Sequence, residues 1–173
     1  RLKAAGGLYT QNLMSSVSER DIVNLFVGFI TSPNLVEAAH AVAGFELDVN
    51  DHMDLNIETY YKDFNPLVAL NRSKKTVAES NFTTETGDAY GLDVLLKSAW
   101  KDWNVWLGYS LGFVNRDDGV QEFPALFDRR HNINLVLDYS FGKGKLWQTG
   151  VRWNMGSGFA FTKIQGFFED NKI

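Results

Sequence analysis

The chain contains no cysteine, which excludes a disulfide framework and cysteine-based zinc sites. It has no apolar run near the roughly 20 residues that a membrane-spanning helix needs; the stretch Phe26 to Ile30, with Gly28 inside it, is the kind of run it offers. It has no excess of positive charge either, since 17 Lys and Arg stand against 21 Asp and Glu for a net charge of −4. That balance, with no basic cluster carrying interleaved aromatics, argues against nucleic acid as a partner. H-E-x-x-H, G-x-S-x-G, Walker and dinucleotide-binding motifs are all missing, so no motif points to an enzyme, a cofactor or a metal. Neither an initiator Met nor a signal peptide opens the chain at Arg1, and a mature or excised segment is expected.

What is present is sheet chemistry. Aromatics make up 14% of the residues and 15 glycines accompany only 3 prolines, which suits strands better than helices or disorder. The clearest stretch is Gly91 to Phe113. Leu92, Val94, Leu96, Ser98 and Trp100 share one parity there, and Trp103, Val105, Leu107, Tyr109, Leu111 and Phe113 share the other. A two-residue loop at Lys101-Asp102 pairs Trp100 with Trp103, Ser98 with Val105, Leu96 with Leu107, Val94 with Tyr109 and Leu92 with Leu111. Partners across a hairpin point the same way, so these side chains form one face. The opposite face carries Asp93, Lys97, Asn104, Gly108, Ser110 and Gly112, polar or small. Arms of about 11 residues can cross a bilayer as tilted strands. Tryptophans beside the turn fit a membrane interface.

The same alternation recurs along the chain. Arg1 to Gln11 keeps Leu2, Ala4, Gly6 and Leu8 on one parity. Ala39 to Val49 presents Ala41, Ala43, Phe45, Leu47 and Val49, and the next strand presents Met53, Leu55, Ile57, Thr59 and Tyr61. Apolar positions are odd on both of these arms, so their loop must be odd, most simply Asn50 to His52. A later strand sets Ile133, Leu135, Leu137, Tyr139 and Phe141 against Asn132, Asn134 and Asp138, with Val136 the exception. Gly142 to Lys145 is a turn signal. Beyond it Trp147, Thr149, Val151, Trp153 and Met155 alternate with Gln148, Gly150, Arg152 and Asn154, which again demands an odd loop, of three or five residues. Long loops are expected at Asn12 to Glu37, Asp63 to Thr86 and Asn115 to Phe127. The first holds a Ser18-x-x-Asp21 pattern that could cap one short helix; the second could continue its strands beyond a membrane. From Gly156 onward the pattern dissolves.

Long and very short connections therefore alternate, as in outer-membrane barrels with short periplasmic turns and long extracellular loops. A soluble sandwich has no reason to put every long loop at one end. Tyr61, Trp100, Trp103, Phe113, Phe141 and Trp147 gather near strand ends on the apolar parity, as two aromatic girdles would. The expected fold is all-β, an antiparallel up-and-down transmembrane barrel. Seven strands cannot close one, because bacterial single-chain barrels have even numbers and an open edge in lipid leaves backbone groups unpaired. Residues 1–173 are therefore expected to be about seven strands of a larger barrel. The alternatives are a small eight-stranded barrel with a structural or adhesion role, and a soluble β-sandwich binding module.

Several stretches resemble the barrel of TonB-dependent receptors of the bacteroidete type. They are AAHAVAGFELDVNDHMDLNIETYYKDFNPLVALN (Ala38 to Asn71), GDAYGLDVLLK (Gly87 to Lys97) and WNVWLGYSLGFV (Trp103 to Val114). The fullest is FPALFDRRHNINLVLDYSFGKGKLWQTGVRWNMGSGFAFT (Phe123 to Thr162), in which a proline and D-R-R-H lead into a strand, a turn, a Trp-containing strand and a G-x-x-F-T loop. The resemblance implies a 22-stranded barrel with an N-terminal plug and a TonB-box, of which this chain would be the middle-to-late part of the C-terminal barrel domain. It implies a transporter of the outer membrane, not an enzyme, that takes up a scarce nutrient such as a siderophore, vitamin, oligosaccharide or peptide. The implied partners are the lipid bilayer, the TonB complex through an N-terminal region outside this chain, and a small-molecule, glycan or peptide ligand. A surface lipoprotein is a further candidate. No cofactor is implied.

Candidate site residues are few, and no catalytic, metal-binding or substrate-binding set is assigned. His40, His52 and His131 lie far apart near strand ends and read as solvated or interface histidines. Asp117, Asp118 and Glu122 read as a charged loop tip. In Asp128-Arg129-Arg130-His131, parity turns Asp128, Arg130, Asn132, Asn134 and Asp138 to the interior, where Arg130 could meet a plug or an anionic ligand. An Arg–Asp pair steadying the strand start is the preferred reading. Asn71-Arg72-Ser73 and Asn81-Phe82-Thr83 match the glycosylation sequon by chance, and the aromatic stretch Tyr60 to Leu70 could stack on a sugar or siderophore.

Overall fold

Period-two alternation becomes strand wherever it is clean. The computed structural model of the chain describes residues 1–15, 29–71, 74–80 and 82–161. Its strands are β1 (Leu2–Ser15), β2 (Phe29–Asn50), β3 (Met53–Leu70), β4 (Phe82–Trp100), β5 (Trp103–Asp117), β6 (Glu122–Pro124), β7 (His131–Phe141) and β8 (Trp147–Gly156). All belong to one antiparallel sheet, ordered β1-β2-β3-β4-β5-β7-β8, with β6 paired to β5. The sheet is open, with β1 and β8 at its two edges. The described strands thus form neither a two-sheet sandwich nor a closed barrel.

Register follows the alternation. Trp100 pairs with Trp103, Ser98 with Val105, Leu96 with Leu107, Val94 with Tyr109 and Leu92 with Leu111, as parity predicts. Lys101, first residue of that turn, takes φ 55, the left-handed backbone that two-residue hairpin loops require. Phe141 pairs with Trp147, which makes the last turn five residues long. The β2–β3 turn differs in detail. Asn50 pairs with Met53, while Asp48 pairs with Asp54. The odd residue that parity demands is therefore a bulge at Val49 in the strand, and the loop itself is Asp51-His52.

Three expectations change. There are eight strands, not seven, because the stretch read as a loop from Asn115 to Phe127 continues β5 and folds β6 back on it, Asn115 to Pro124 and Asp117 to Glu122. Most of Asp63 to Thr86 is strand, since β3 runs to Leu70 and β4 starts at Phe82; Pro66, with no N–H to give, sits at the register shift between Phe64 and Leu67. Asn12 to Glu37 also yields strand, in β1 to Ser15 and β2 from Phe29. The helix expected at Ser18 to Asp21 lies outside the described residues. Polarity failed as a loop signal here because ladder hydrogen bonds need no apolar side chains.

One layer of sheet leaves little interior. Among the described residues the buried side chains are those of Ala89, Ala125 and Asp128. The large apolar side chains are consequently spread over a face.

Candidate functional site

The site this fold offers is the sheet's pair of faces. On one, a single row of cross-strand partners runs Leu2, Phe45, Ile57, Val94, Tyr109, Ile133, Met155 through all seven long strands. The next row is Leu47, Leu55, Leu96, Leu107, Leu135, Trp153. Nothing described covers these rows, and Leu47 is 50% and Trp153 47% exposed. An uncovered apolar face of this extent marks a surface made for an apolar neighbour.

Aromatics border that face at both ends. Toward the long connections, Tyr61, Tyr90 and Phe113 are direct partners in register, and Tyr90 stacks on Phe113 at 5.0 Å. Toward the short turns stand Trp100, Trp103, Tyr139, Phe141 and Trp147, with Trp103 stacked on Tyr139 at 4.3 Å and Tyr139 on Phe141 at 5.8 Å. Along β5 the borders are Trp103 and Phe113, a span of about 25 Å at about 3.3 Å per residue and a tilt of about 40°. Tyr90, which parity places near the outer border with Phe113, and Tyr139, which sequence did not assign to a border, complete the two rims.

The other face is polar and divided. Its β2–β4 side carries Glu46, Asp48, Asp54, Glu58 and Asp93; its β5–β8 side carries Ser110, Asn132, Asn134, Asn154 and Arg152. It is not uniformly polar. Leu95, Trp106 and Val136 also point there, and the Lys97 ammonium lies 4.9 Å from the Trp106 ring centroid. The even parity of Trp106 is the sequence signal for its place on this face.

The structure separates the three histidines. His40 lies tilted against the Tyr9 ring at 4.5 Å and edges Phe64 at 6.0 Å, His52 sits in the β2–β3 turn at the opposite end, and His131 Nδ1 is 2.9 Å from the Tyr109 hydroxyl at the start of β7. No cluster of metal-ligating side chains exists among the described residues. Asp117 and Glu122 are register partners in the β5–β6 hairpin, while the Asp118 carboxylate accepts the N–H groups of Val120 and Gln121 at 2.9 Å. The Asp117 and Asp118 carboxylates serve the turn, Asp117 accepting the Gly119 N–H. Beside them a shallow notch of about 190 Å³ is lined by Tyr61, Asp63, Asp88 and Arg116 among others, and Arg116 is paired with Glu85 at 3.1 Å. Of the two sequons, Asn71 of the first and Phe82 and Thr83 of the second lie among the described residues.

The Asp128 to His131 segment is the most constructed local feature. Between the Asn115–Pro124 and Leu111–His131 pairings the β6–β7 side takes seven steps against four on β5, so residues loop out of the ladder. Asp128 fills the gap: its carboxylate accepts the Val114 N–H at 3.2 Å and the Arg130 Nε–H at 2.8 Å. The Arg–Asp pair of the preferred reading is thus present, with Arg130 also 4.3 Å from the Phe113 ring. The adjacent Arg129, to which parity assigns no role, lies 4.3 Å from the Phe159 ring.

These features define a class: an all-β, single-layer antiparallel sheet with one apolar and one polar face. No family model, curated protein or solved structure matches the chain.

Proposed function

We propose that the chain is a segment of an outer-membrane β-barrel, of the TonB-dependent receptor type that its sequence resembles, and that the whole protein takes up a scarce nutrient. One observation carries the barrel part: an apolar face continuous across seven long strands, uncovered, and bounded by aromatics about one hydrocarbon thickness apart. Lipid is the neighbour that such a face suits. In that setting both sheet edges must find further strands, because unpaired N–H and C=O groups are not tolerated in hydrocarbon. The polar face would then line the interior, and Trp100 and Trp103 would mark the periplasmic border. The transport part rests on the resemblance alone.

Fractionation tests it. The reading expects the protein in the outer membrane, extracted only by detergent and migrating faster in gels when unheated. Recovery in the soluble fraction, with no heat-dependent shift, would remove the barrel reading and leave a soluble binding module.

A further inference from the structure

Five ion pairs are formed among the described residues, and Arg129 belongs to none of them. Its Nε is buried without a hydrogen-bond partner, although a guanidinium donor shut off from water calls for an acceptor. Its side chain is nevertheless held. The guanidinium carbon lies 4.3 Å from the Phe159 ring centroid, and a Cβ built on Gly156 would come within 2.5 Å of Arg129 Nη1 and 2.7 Å of its Cδ and Cζ. Gly156 pairs with Asn132, which pairs with Ser110, so that Cβ direction belongs to the polar face.

The surroundings suit an anion. Asn134 and Asn154 face each other one row below Asn132 and Gly156, and carboxamides offer N–H donors without charge. Asp128, the acid closest in sequence, is already occupied by Val114 and Arg130. Asp93 lies two strands away on β4, and Asp138 lies six positions along β7 from Asn132. A planar guanidinium backed by an aromatic ring carries paired N–H donors that match the two-oxygen geometry of carboxylates and phosphates.

We infer that Arg129, backed by Phe159 and flanked by Asn132, Asn134 and Asn154, is a subsite for the carboxylate or phosphate group of a soluble small molecule. The inference leans on the transport reading only for why such a molecule would visit this face. A lipid headgroup is not the occupant chosen, because the apolar rows lie on the opposite side of the sheet.

The test is a titration of the full ¹⁵N-labelled chain in detergent with inorganic phosphate, following arginine Nε–Hε resonances, with sodium chloride at matched ionic strength as the control. One resonance, assigned to Arg129 by its loss in Arg129→Lys, should shift saturably with phosphate and not with chloride. Gly156→Ala keeps every charge but displaces the guanidinium, and should weaken that response by at least about fivefold; Arg152→Gln should leave it unchanged. A shift that is linear, shared by all arginines or reproduced by chloride would overturn the subsite. Fractionation of the same protein keeps the two ideas apart. An outer-membrane protein without a saturable Arg129 shift loses only the subsite, and a soluble protein that binds phosphate there keeps it while losing the transport reading.

Discussion

Tyr60 lies across two neighbouring strands, and the glycines beneath it explain how. A Cβ at Gly91 would come 2.6 Å from the Tyr60 hydroxyl oxygen, besides meeting the Leu111 carbonyl, and one at Gly112 would come 3.1 Å from that oxygen. Gly108, on the same face, has no atom nearer than 3.9 Å to such a Cβ. Gly91→Ala should therefore destabilise by about 1–3 kcal/mol through overpacking, whereas Gly108→Ala should stay within about 0.5 kcal/mol. Denaturant titration of refolded protein measures both. Asp128 is the second residue on which much rests, being 4% exposed with two donors on one carboxylate. Arg130 is 43% exposed, so solvent screens half of that pair, and the part-buried Val114 bond sets the scale. Asp128→Ala should cost about 2–3 kcal/mol, and Asp128→Asn, which keeps an acceptor, about 1 kcal/mol.

At the scale of elements, the strands and their phase were legible because one face is apolar and a register slip would invert every side chain. The hairpin at Lys101-Asp102 came out pair for pair. Strand ends were not legible: β3 and β4 run on through Asp63, Asn65 and Glu85, where the backbone ladder persists after the apolar signal has stopped. Nor was β6, only three residues long. Of the candidate site, the Asp128–Arg130 pair was readable from spacing, while the seat of Arg129 was not, because it is set by Gly156 and Phe159, which adjoin it only once β7 and β8 have paired. The turns carry their own chemistry. The Glu79 carboxyl is held below the usual carboxylate value first by the Lys75 N–H and then by the Thr76 hydroxyl. Asp118 is held low by the Gln121 and then the Val120 N–H. Both groups are lowered in the folded state, so their stabilisation is complete above the ordinary carboxylate range and is lost as pH falls through that range to the lowered values. Amide exchange at Lys75, Val120 and Gln121 should therefore accelerate on acidification, beyond the intrinsic pH effect, while amides of the β4–β5 ladder hold.

For the whole molecule the question is what lies against each face. If the apolar rows meet lipid, Leu107→Arg should cost about 2–4 kcal/mol near the bilayer midplane. Ser110→Arg, on the polar face of the same strand, should cost much less; equal losses in a refolding assay would contradict the facing. Two tryptophans give the most direct measurement. Trp106 is 53% and Trp153 47% exposed, so accessibility does not separate them, yet Trp153 stands in an apolar row with Leu107 and Leu135 while Trp106 stands opposite Lys97 and Val136. In two variants, each keeping one of these as its single tryptophan and reconstituted in bilayers with brominated acyl chains, Trp153 fluorescence should be quenched strongly and Trp106 fluorescence spared. Equal quenching, or quenching of neither, would contradict a sheet whose apolar face is solvated by lipid.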